Sequence, residues 1–257
     1  LEELGLDYEV TPIDISKGDQ YSADFTAISP NQKIPALADT ETGITLMESG
    51  AILLYLAKKT GRLLPEDTQG YWETIQWLMW QKGGLGPMLG QAHHFLKFNP
   101  GKSSYAEERY RQEARRLYGV LNRQLAGRDY IAGGEYTIAD IASWPWASRL
   151  EYQHVDLCDF PNVMAWYLRI AERPAVQRGY SVPVPETVPE LPRCTMQARN
   201  HLPPQQSAKA RGPVTPREPA WSRLRLPQPS AAAAPLGIAK TVNSRASGSP
   251  AGSIRKA

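Results

Sequence analysis

The chain has 257 residues, enough for one large domain or two small domains with a sizeable core. Its content of 42% hydrophobic and 21% charged residues is ordinary for a soluble globular protein. No apolar run of about 18 residues and no charged-then-apolar leader is present, so neither a membrane span nor a secretory signal is predicted. We expect a protein of the reducing cytoplasm.

The charge is unevenly distributed along the sequence. Of 29 Lys and Arg and 26 Asp and Glu, 11 basic and 3 acidic side chains lie from Ser181 to the end. Residues 1–180 therefore carry about −5 and residues 181–257 about +8. The overall net charge of +3 thus does not indicate nucleic-acid binding by the folded part.

Residues 1–60 are predicted to alternate helices and strands. Leu1–Leu6 has the spacing of a helix end, Tyr8–Ile15 alternates as a strand does, and Tyr21–Ile28 reads as a short helix. Two short strands and a helix follow. The order of these elements predicts a thioredoxin-like α/β domain whose first strand is missing, which leaves a gap in the sheet.

The segment Asn31–Ala57 combines three signals. Ile34-Pro35 opens a short apolar run, where a proline belongs at the first residue of a strand or in a turn, with a cis bond as an option. Gly43–Met47 predicts a second strand, so the two form a hairpin. Ser49 then stands as the predicted N-cap of a helix.

This arrangement offers two kinds of binding group. A helix start presents unpaired N–H groups and a positive dipole end, which suit a carboxylate. The residue before a cis proline has main-chain groups free for an extended peptide. The pattern therefore favours a small peptide with a free carboxylate, and the alternative is that Ser49 is only a cap and Pro35 only a turn.

Residues 61–66 are a predicted linker, and residues 67–180 a predicted all-helical domain. The cluster Gly83–Pro87 is expected to interrupt and bend its first helix sharply. Further helices are predicted over Tyr105–Ala126, from Thr137, over Phe160–Glu172 and from Pro174 to about Tyr180.

Several residues that invite a chemical role are interpreted as structural. Thr137 and Asp140 have the spacing of a capping box, which a buried helix start needs in order to fold. Cys158 and Cys194 are isolated and form no CxxC, so neither a disulfide framework nor a cysteine-ligated metal site is predicted. Cys158 is interpreted as a core thiol, and Trp144-Pro145-Trp146 as packing within the helical domain.

Residues 181–257 change in composition to Pro, Ala, Arg and Ser without apolar periodicity. Such a segment cannot bury enough surface to offset its ordering entropy, so disorder is predicted. We interpret it as a non-native extension, and a basic binding arm is the alternative.

The segments SPNQKIPAL, ESGAILLYLA, QWLMWQKGGLGPMLGQAHHF and YTIADIASWPW resemble the glutathione transferase superfamily, and within it the bacterial nu class. The resemblance covers residues 1–180. It implies a homodimeric, metal-free enzyme that binds glutathione as co-substrate. Such an enzyme reduces small disulfides or peroxides and conjugates electrophiles more weakly, without nucleic-acid or membrane partners.

The resemblance also implies site residues. The glycyl end of glutathione would lie near Gln20 and Lys33, Ile34 would pair through its backbone before a cis Pro35, and Glu48 and Ser49 would hold the γ-glutamyl group. The Thr and Asn that stabilise the thiolate in this class are expected upstream of Leu1, so no catalytic residue is assigned. The expected second-substrate pocket is formed by Met88, Gln91, His93 and His94.

Two points stay open on the sequence. Adjacent His93 and His94 point in different directions on a helix, so they make a poor metal pair, and either packing or lining the pocket is possible. The leading hypothesis is a glutathione-dependent transferase or reductase. Its alternatives are a catalytically silent dimerisation or interaction module of the same fold, and nucleic-acid binding through the basic tail.

Overall fold

The structure is a computed structural model in which residues 1–182 are described. A small N-terminal α/β part is followed by a helical part. The helices and strands of the first part are α1 (Ala23–Ile28), β1 (Ala36–Ala38), β2 (Thr45–Met47) and α2 (Ser49–Thr60). Those of the second are α3 (Thr68–Trp80), α4 (Gly86–Ala92), α5 (Ser104–Gln124), α6 (Ile138–Ala147), α7 (Pro161–Ala171) and α8 (Pro174–Gly179).

The predicted hairpin is confirmed. β1 and β2 pair antiparallel with Ala36 opposite Met47 and Ala38 opposite Thr45, in the one sheet that residues 1–182 contain. At its turn, the Asp39 carboxylate accepts hydrogen bonds from the Tyr55 hydroxyl at 2.6 Å and from the Lys59 ammonium, both on α2. These bonds tie the hairpin to the helix, and the Lys59 contact holds the pKa of Asp39 well below its usual range.

The predicted strand Tyr8–Ile15 is wrong, and so is the helix end at Leu1–Leu6. The first segment has no ladder partner within residues 1–182, and the second forms only hydrogen-bonded turns. Because a strand is stabilised by its neighbour, alternation of side chains alone does not make one. The N-terminal segment is instead held by ion pairs to the end of the helical part, with Glu3 bound to both Nε and Nη2 of Arg173 at 2.7 and 2.8 Å.

Helix α2 begins one position away from the prediction. Glu48 is the N-cap, with φ 69°, and it makes no side-chain capping bond. Ser49 is the first helical residue, so the prediction of Ser49 as N-cap is wrong. Its hydroxyl is thereby left for another partner.

The predicted interruption at Gly83–Pro87 is wrong, because the backbone stays helical from Thr68 to Phe98. The sharp bend expected there stays a prediction. Gln81–Leu85 is a π-helix, in which the Gly86 N–H bonds to the Gln81 carbonyl. One extra residue in that turn accommodates Pro87, which has no N–H to donate.

The core of the helical part confirms the structural interpretation of Asp140. This fully buried carboxylate accepts from the N–H groups of Thr137 and Ile131 at 3.0 and 2.9 Å and from the indole of Trp166 at 2.8 Å. The Thr137 hydroxyl donates at 3.1 Å, and the capping box is complete. Burial raises the pKa of Asp140, and these donors oppose the rise. Trp144 is buried and Trp146 packs against the core, as predicted.

Cys158 is exposed and disulfide-bonded, so its interpretation as a core thiol is wrong. It lies in a short 3₁₀ helix, Leu157–Asp159, which turns its side chain outward.

The predicted disordered tail lies, from residue 183 onward, outside the described residues. Among the described helices, none combines the length and apolarity needed to cross a bilayer.

Candidate functional site

The end of the hairpin away from its turn brings two sequence signals together. Continued beyond Ala36 and Met47, the antiparallel register places Ile34 and Pro35 at the same end as Glu48 and Ser49. The Ile34–Pro35 bond is cis, the isomer implied by the resemblance. Ile34 is 52% exposed, and within residues 1–182 its main-chain N–H and C=O make no hydrogen bond. An extended backbone could pair with these groups.

The chain before Ile34 is fixed by a serine that the sequence analysis missed. Ser29 is fully buried, and its hydroxyl donates to the Lys33 carbonyl at 2.9 Å. The Lys33 side chain itself is exposed. Gln20 lies in the short 3₁₀ helix before α1, and its Oε1 is buried without a hydrogen-bond partner in the described part of the chain. Such an acceptor suits a donor from a ligand.

Charged groups of both signs surround the start of α2. Glu48 is exposed, and Asn31 Nδ2 lies 3.5 Å from its Oε1. The Ser49 hydroxyl accepts a 2.6 Å hydrogen bond from the ammonium of Lys82, which belongs to the π-helix Gln81–Leu85 of the helical part. Burial lowers the pKa of Lys82, and the charge of Glu48 opposes this. The helical part therefore contributes a cation to the candidate site.

Lys82 was missed because it approaches Ser49 from a distant part of the sequence. One signal was available: Lys82 is the single Asp, Glu, Lys or Arg between Glu73 and Lys97. Its ammonium therefore has no charge partner at i±3 or i±4 along the helix. That spacing predicts a partner elsewhere in the fold, although it does not identify Ser49.

The four residues expected at the second-substrate pocket all lie on the same helical stretch but in different environments. Met88 packs against the core, and Gln91 is exposed. His94 is exposed beside Asn99, whose Nδ2 lies 3.4 Å from its Nε2. His93 is half-buried between the rings of Trp146 and Tyr152. A pocket made by these residues stays a prediction.

The protonation state of His93 is set by a buried glutamine. Gln153 Oε1 accepts from the Tyr118 hydroxyl at 2.7 Å, so its amide nitrogen faces the other way. That nitrogen donates to the Trp146 carbonyl at 2.7 Å and to His93 Nε2 at 2.9 Å. His93 Nε2 must therefore accept and carry no proton. Burial, with the nearby charge of Arg149, lowers the pKa of His93 to about 4.

This depressed pKa predicts a loss of stability in acid. The unfolded chain binds a proton at His93 below its ordinary pKa of 6.5, whereas the folded chain resists it until about 4. The free energy of unfolding should therefore fall as pH falls through this window. After allowance for screening at a half-buried site, His93 should account for about 1 kcal/mol between pH 7 and pH 5. Urea titrations at the two pH values measure the difference.

The variants His93→Gln and His94→Gln form a matched pair for this test. His93→Gln removes the titrating group from the Gln153 network, so the pH-dependent loss should shrink by about 1 kcal/mol. His94→Gln changes an exposed ring and should leave the loss as it is. An equal effect of both variants would contradict the assignment.

No group of three or more His, Cys, Asp or Glu side chains in residues 1–182 has an arrangement able to hold a metal ion. The polar groups that the fold gathers are those around Ile34 and Ser49. They suit an extended, zwitterionic organic ligand with a peptide backbone.

Comparison with known proteins points the same way. Residues 1–58 match the family described as Glutathione S-transferase, N-terminal domain, and residues 85–174 match Glutathione S-transferase, C-terminal domain. The disulfide-bond oxidoreductase YfcG of Escherichia coli is 49% identical over 180 residues, which cover 68% of this chain and 84% of that protein. The disulfide-bond oxidoreductase YghU of the same organism is 42% identical over 194 residues, covering 70% and 67%.

Solved structures share the fold. A glutathione transferase from Burkholderia graminis, with two glutathione molecules bound per subunit, is 43% identical and superposes with a TM-score of 0.67 over 71% of this chain and 80% of that chain. One from Pseudomonas putida, with one glutathione disulfide bound per subunit, is also 43% identical, with a TM-score of 0.67 over 71% and 84%. The chain therefore belongs to the glutathione S-transferase family.

Proposed function

We propose that the protein is a glutathione-dependent transferase whose main reaction is the reduction of small disulfides, with peroxides and electrophiles as further substrates. We further propose that it works as a homodimer in the cytoplasm. Glutathione is its co-substrate, and no metal takes part.

The observation that carries the proposal is the arrangement at the open end of the hairpin. The unbonded main chain of Ile34 and the polar start of α2 at Glu48 and Ser49 lie at the same end. Glutathione is an extended tripeptide with a free amino-acid group at its γ-glutamyl end. Its cysteinyl backbone matches Ile34, and its γ-glutamyl group matches Glu48 and Ser49.

At the other end of the ligand, Gln20 and Lys33 are proposed to hold the glycyl residue. The Gln20 Oε1 offers an unmet acceptor to a peptide N–H, and the exposed Lys33 ammonium suits the terminal carboxylate. Met88, Gln91, His93 and His94 are proposed to lie nearer the second substrate, on the helical part.

The proposed chemistry is thiol–disulfide exchange. A glutathione thiolate attacks one sulfur of the disulfide R–S–S–R, forms a mixed disulfide and releases one thiolate, which takes up a proton. A second glutathione thiolate attacks the glutathione sulfur of the mixed disulfide. Glutathione disulfide forms and the second thiol leaves, so two glutathiones are oxidised for each disulfide reduced. Relatives that hold two glutathiones or one glutathione disulfide per subunit are in keeping with this sequence.

The test is glutathione-dependent reduction of bis(2-hydroxyethyl) disulfide by the full chain, followed through NADPH consumption by added glutathione reductase. Turnover above the uncatalysed rate is expected. Ser49→Ala removes one hydrogen-bonding hydroxyl from the γ-glutamyl site, so kcat/KM for glutathione should fall about tenfold, mainly through KM. Ser104→Ala, at an exposed serine of α5, is the matched control and should leave turnover unchanged.

Two other outcomes are informative. If calorimetry shows glutathione binding but no turnover is measured, the enzyme hypothesis is wrong, and the protein is a catalytically silent module that retains the glutathione site. Absence of both binding and turnover would overturn the proposal.

A further inference from the structure

Lys82 combines properties that a merely structural lysine does not need. It is the single charged residue between Glu73 and Lys97, it is half-buried, and its ammonium lies 2.6 Å from the Ser49 hydroxyl. Within residues 1–182 it forms no ion pair with a carboxylate, although the exposed Glu48 is close enough to influence it electrostatically. An ammonium donates three hydrogen bonds, and here one is assigned. A half-buried cation with spare donors is stabilised by an anion that fills them.

The stem of Lys82 is positioned by the glycine that follows Ser49. A Cβ placed on Gly50 would come within 3.1 Å of Lys82 Cε and 3.4 Å of its Cγ. The lysine therefore runs along the first turn of α2, over a buried residue without a side chain. This close approach brings the ammonium to Ser49 instead of leaving it in solvent.

We propose that Lys82 binds the α-carboxylate of the γ-glutamyl residue of glutathione, together with the Ser49 hydroxyl. The inference rests on the proposed function and adds a residue from the helical part to a site otherwise built by the N-terminal part. Glu48 then faces the α-ammonium group of the same residue. The pair of opposite charges, Lys82 and Glu48, matches the zwitterionic end of the ligand.

The consequence is selectivity for a ligand that carries the α-carboxylate. A charge-assisted hydrogen bond is worth more than a neutral one, and its loss leaves an unpaired, partly desolvated cation. The full chain should therefore discriminate between glutathione and 4-aminobutyryl-cysteinyl-glycine, which lacks only the α-carboxylate. Glutaryl-cysteinyl-glycine, which lacks only the α-amino group, should lose its contact with Glu48 instead.

The experiment is calorimetric titration of the full chain and its variants with these three peptides. Lys82→Met keeps the volume of the stem and removes the charge, so the Kd for glutathione should rise about tenfold. The Kd for 4-aminobutyryl-cysteinyl-glycine should change by less than about twofold, because that peptide has no group for the lysine. Lys82→Arg should restore glutathione binding to within about threefold, and Lys102→Met, at an exposed loop lysine, is the matched control.

A second variant tests the placement of the charge without removing it. Gly50→Ala crowds the Lys82 stem and should displace the ammonium from Ser49, so glutathione affinity should fall while Lys82 is still present. Thermal unfolding of each variant, followed by circular dichroism, separates this effect from misfolding.

The outcomes distinguish this inference from the proposed function. Unchanged glutathione affinity in Lys82→Met, with normal binding by the unaltered chain, overturns the role of Lys82 alone. An equal loss for all three peptides also overturns it, because a general disturbance does not select the carboxylate. Absence of glutathione binding by the unaltered chain overturns the proposed function first.

Discussion

Replacing Asp140 by alanine should lower the free energy of unfolding by about 3–5 kcal/mol. The substitution leaves the buried N–H groups of Ile131, Thr137 and Trp166 without their acceptor, and each unsatisfied donor costs about 1–3 kcal/mol. It also removes the capping box at the start of α6, whose groups are buried away from solvent. Urea unfolding at neutral pH, followed by tryptophan fluorescence, measures the loss.

Asp129→Ala is the matched control for this prediction. Asp129 is an exposed carboxylate paired with Arg169 at 3.0 Å, and surface pairs of this kind contribute about 0–1 kcal/mol. Asp140→Asn should fall between the two, because one oxygen still accepts while the new amide group faces donors. Similar midpoints for Asp140→Ala and Asp129→Ala would contradict the assignment of Asp140 as the organising cap.

Adding a methyl group at Gly86 should destabilise the helical part by about 1–3 kcal/mol. A Cβ at this position would lie 2.6 Å from Gln81 Nε2, 3.2 Å from Trp146 Nε1 and 3.3 Å from the Gln81 carbonyl oxygen. Gln81 and Gly86 are both buried, so the side chains have little room to move away. The midpoint of urea unfolding should fall for Gly86→Ala without a change in the slope.

Gly83 and Gly84 provide controls within the same glycine cluster. A Cβ on either meets no atom within 4 Å, so alanine should be neutral or stabilising by up to about 1 kcal/mol through reduced backbone entropy. Equal destabilisation by all three substitutions would mean that the cluster requires flexible backbone in general, not close packing at one position.

Short-range signals predicted much of the fold. The Thr137–Asp140 spacing led to a capping box that the structure confirms, because its bonds join residues three positions apart. The hairpin was predicted for the same reason, with β1 and β2 falling inside the predicted runs. Helix ends at α5 and α7 were placed within one or two residues, where apolar periodicity ends at polar or turn-forming residues.

The errors arise where a distant partner decides the local structure. Tyr8–Ile15 alternates as a strand does but has no neighbouring strand in the described part of the chain, so no ladder forms. Cys158 was expected to be buried because cysteine is often found in protein cores, yet the side chain is exposed on a short 3₁₀ helix. At Gly83–Pro87 the packing of Gly86 against Trp146 keeps the chain helical where propensity alone favours a break.

The candidate site shows the same difference between residues that are close in sequence and residues that are distant. Ile34, Glu48 and Ser49 were expected from the resemblance, and the hairpin brings their neighbouring segments to one end. Their contacts with glutathione stay a prediction. Lys82 and the supporting hydroxyl of Ser29 were missed. The contact between Lys82 and Ser49 depends on how the helical part packs on α2, and no pattern within either segment encodes that packing.

Because the helical backbone is uninterrupted from Thr68 to Phe98, the number of residues in this region fixes which of its side chains face α2 and α6. Each residue of a helix turns the chain by about 100°. Inserting or deleting one residue beside the π-helix would therefore swing Lys82 away from Ser49, or rotate Gly86 and His93 away from Trp146. The number of residues in this helical stretch thus keeps Lys82 facing Ser49 and keeps Gly86 and His93 facing Trp146.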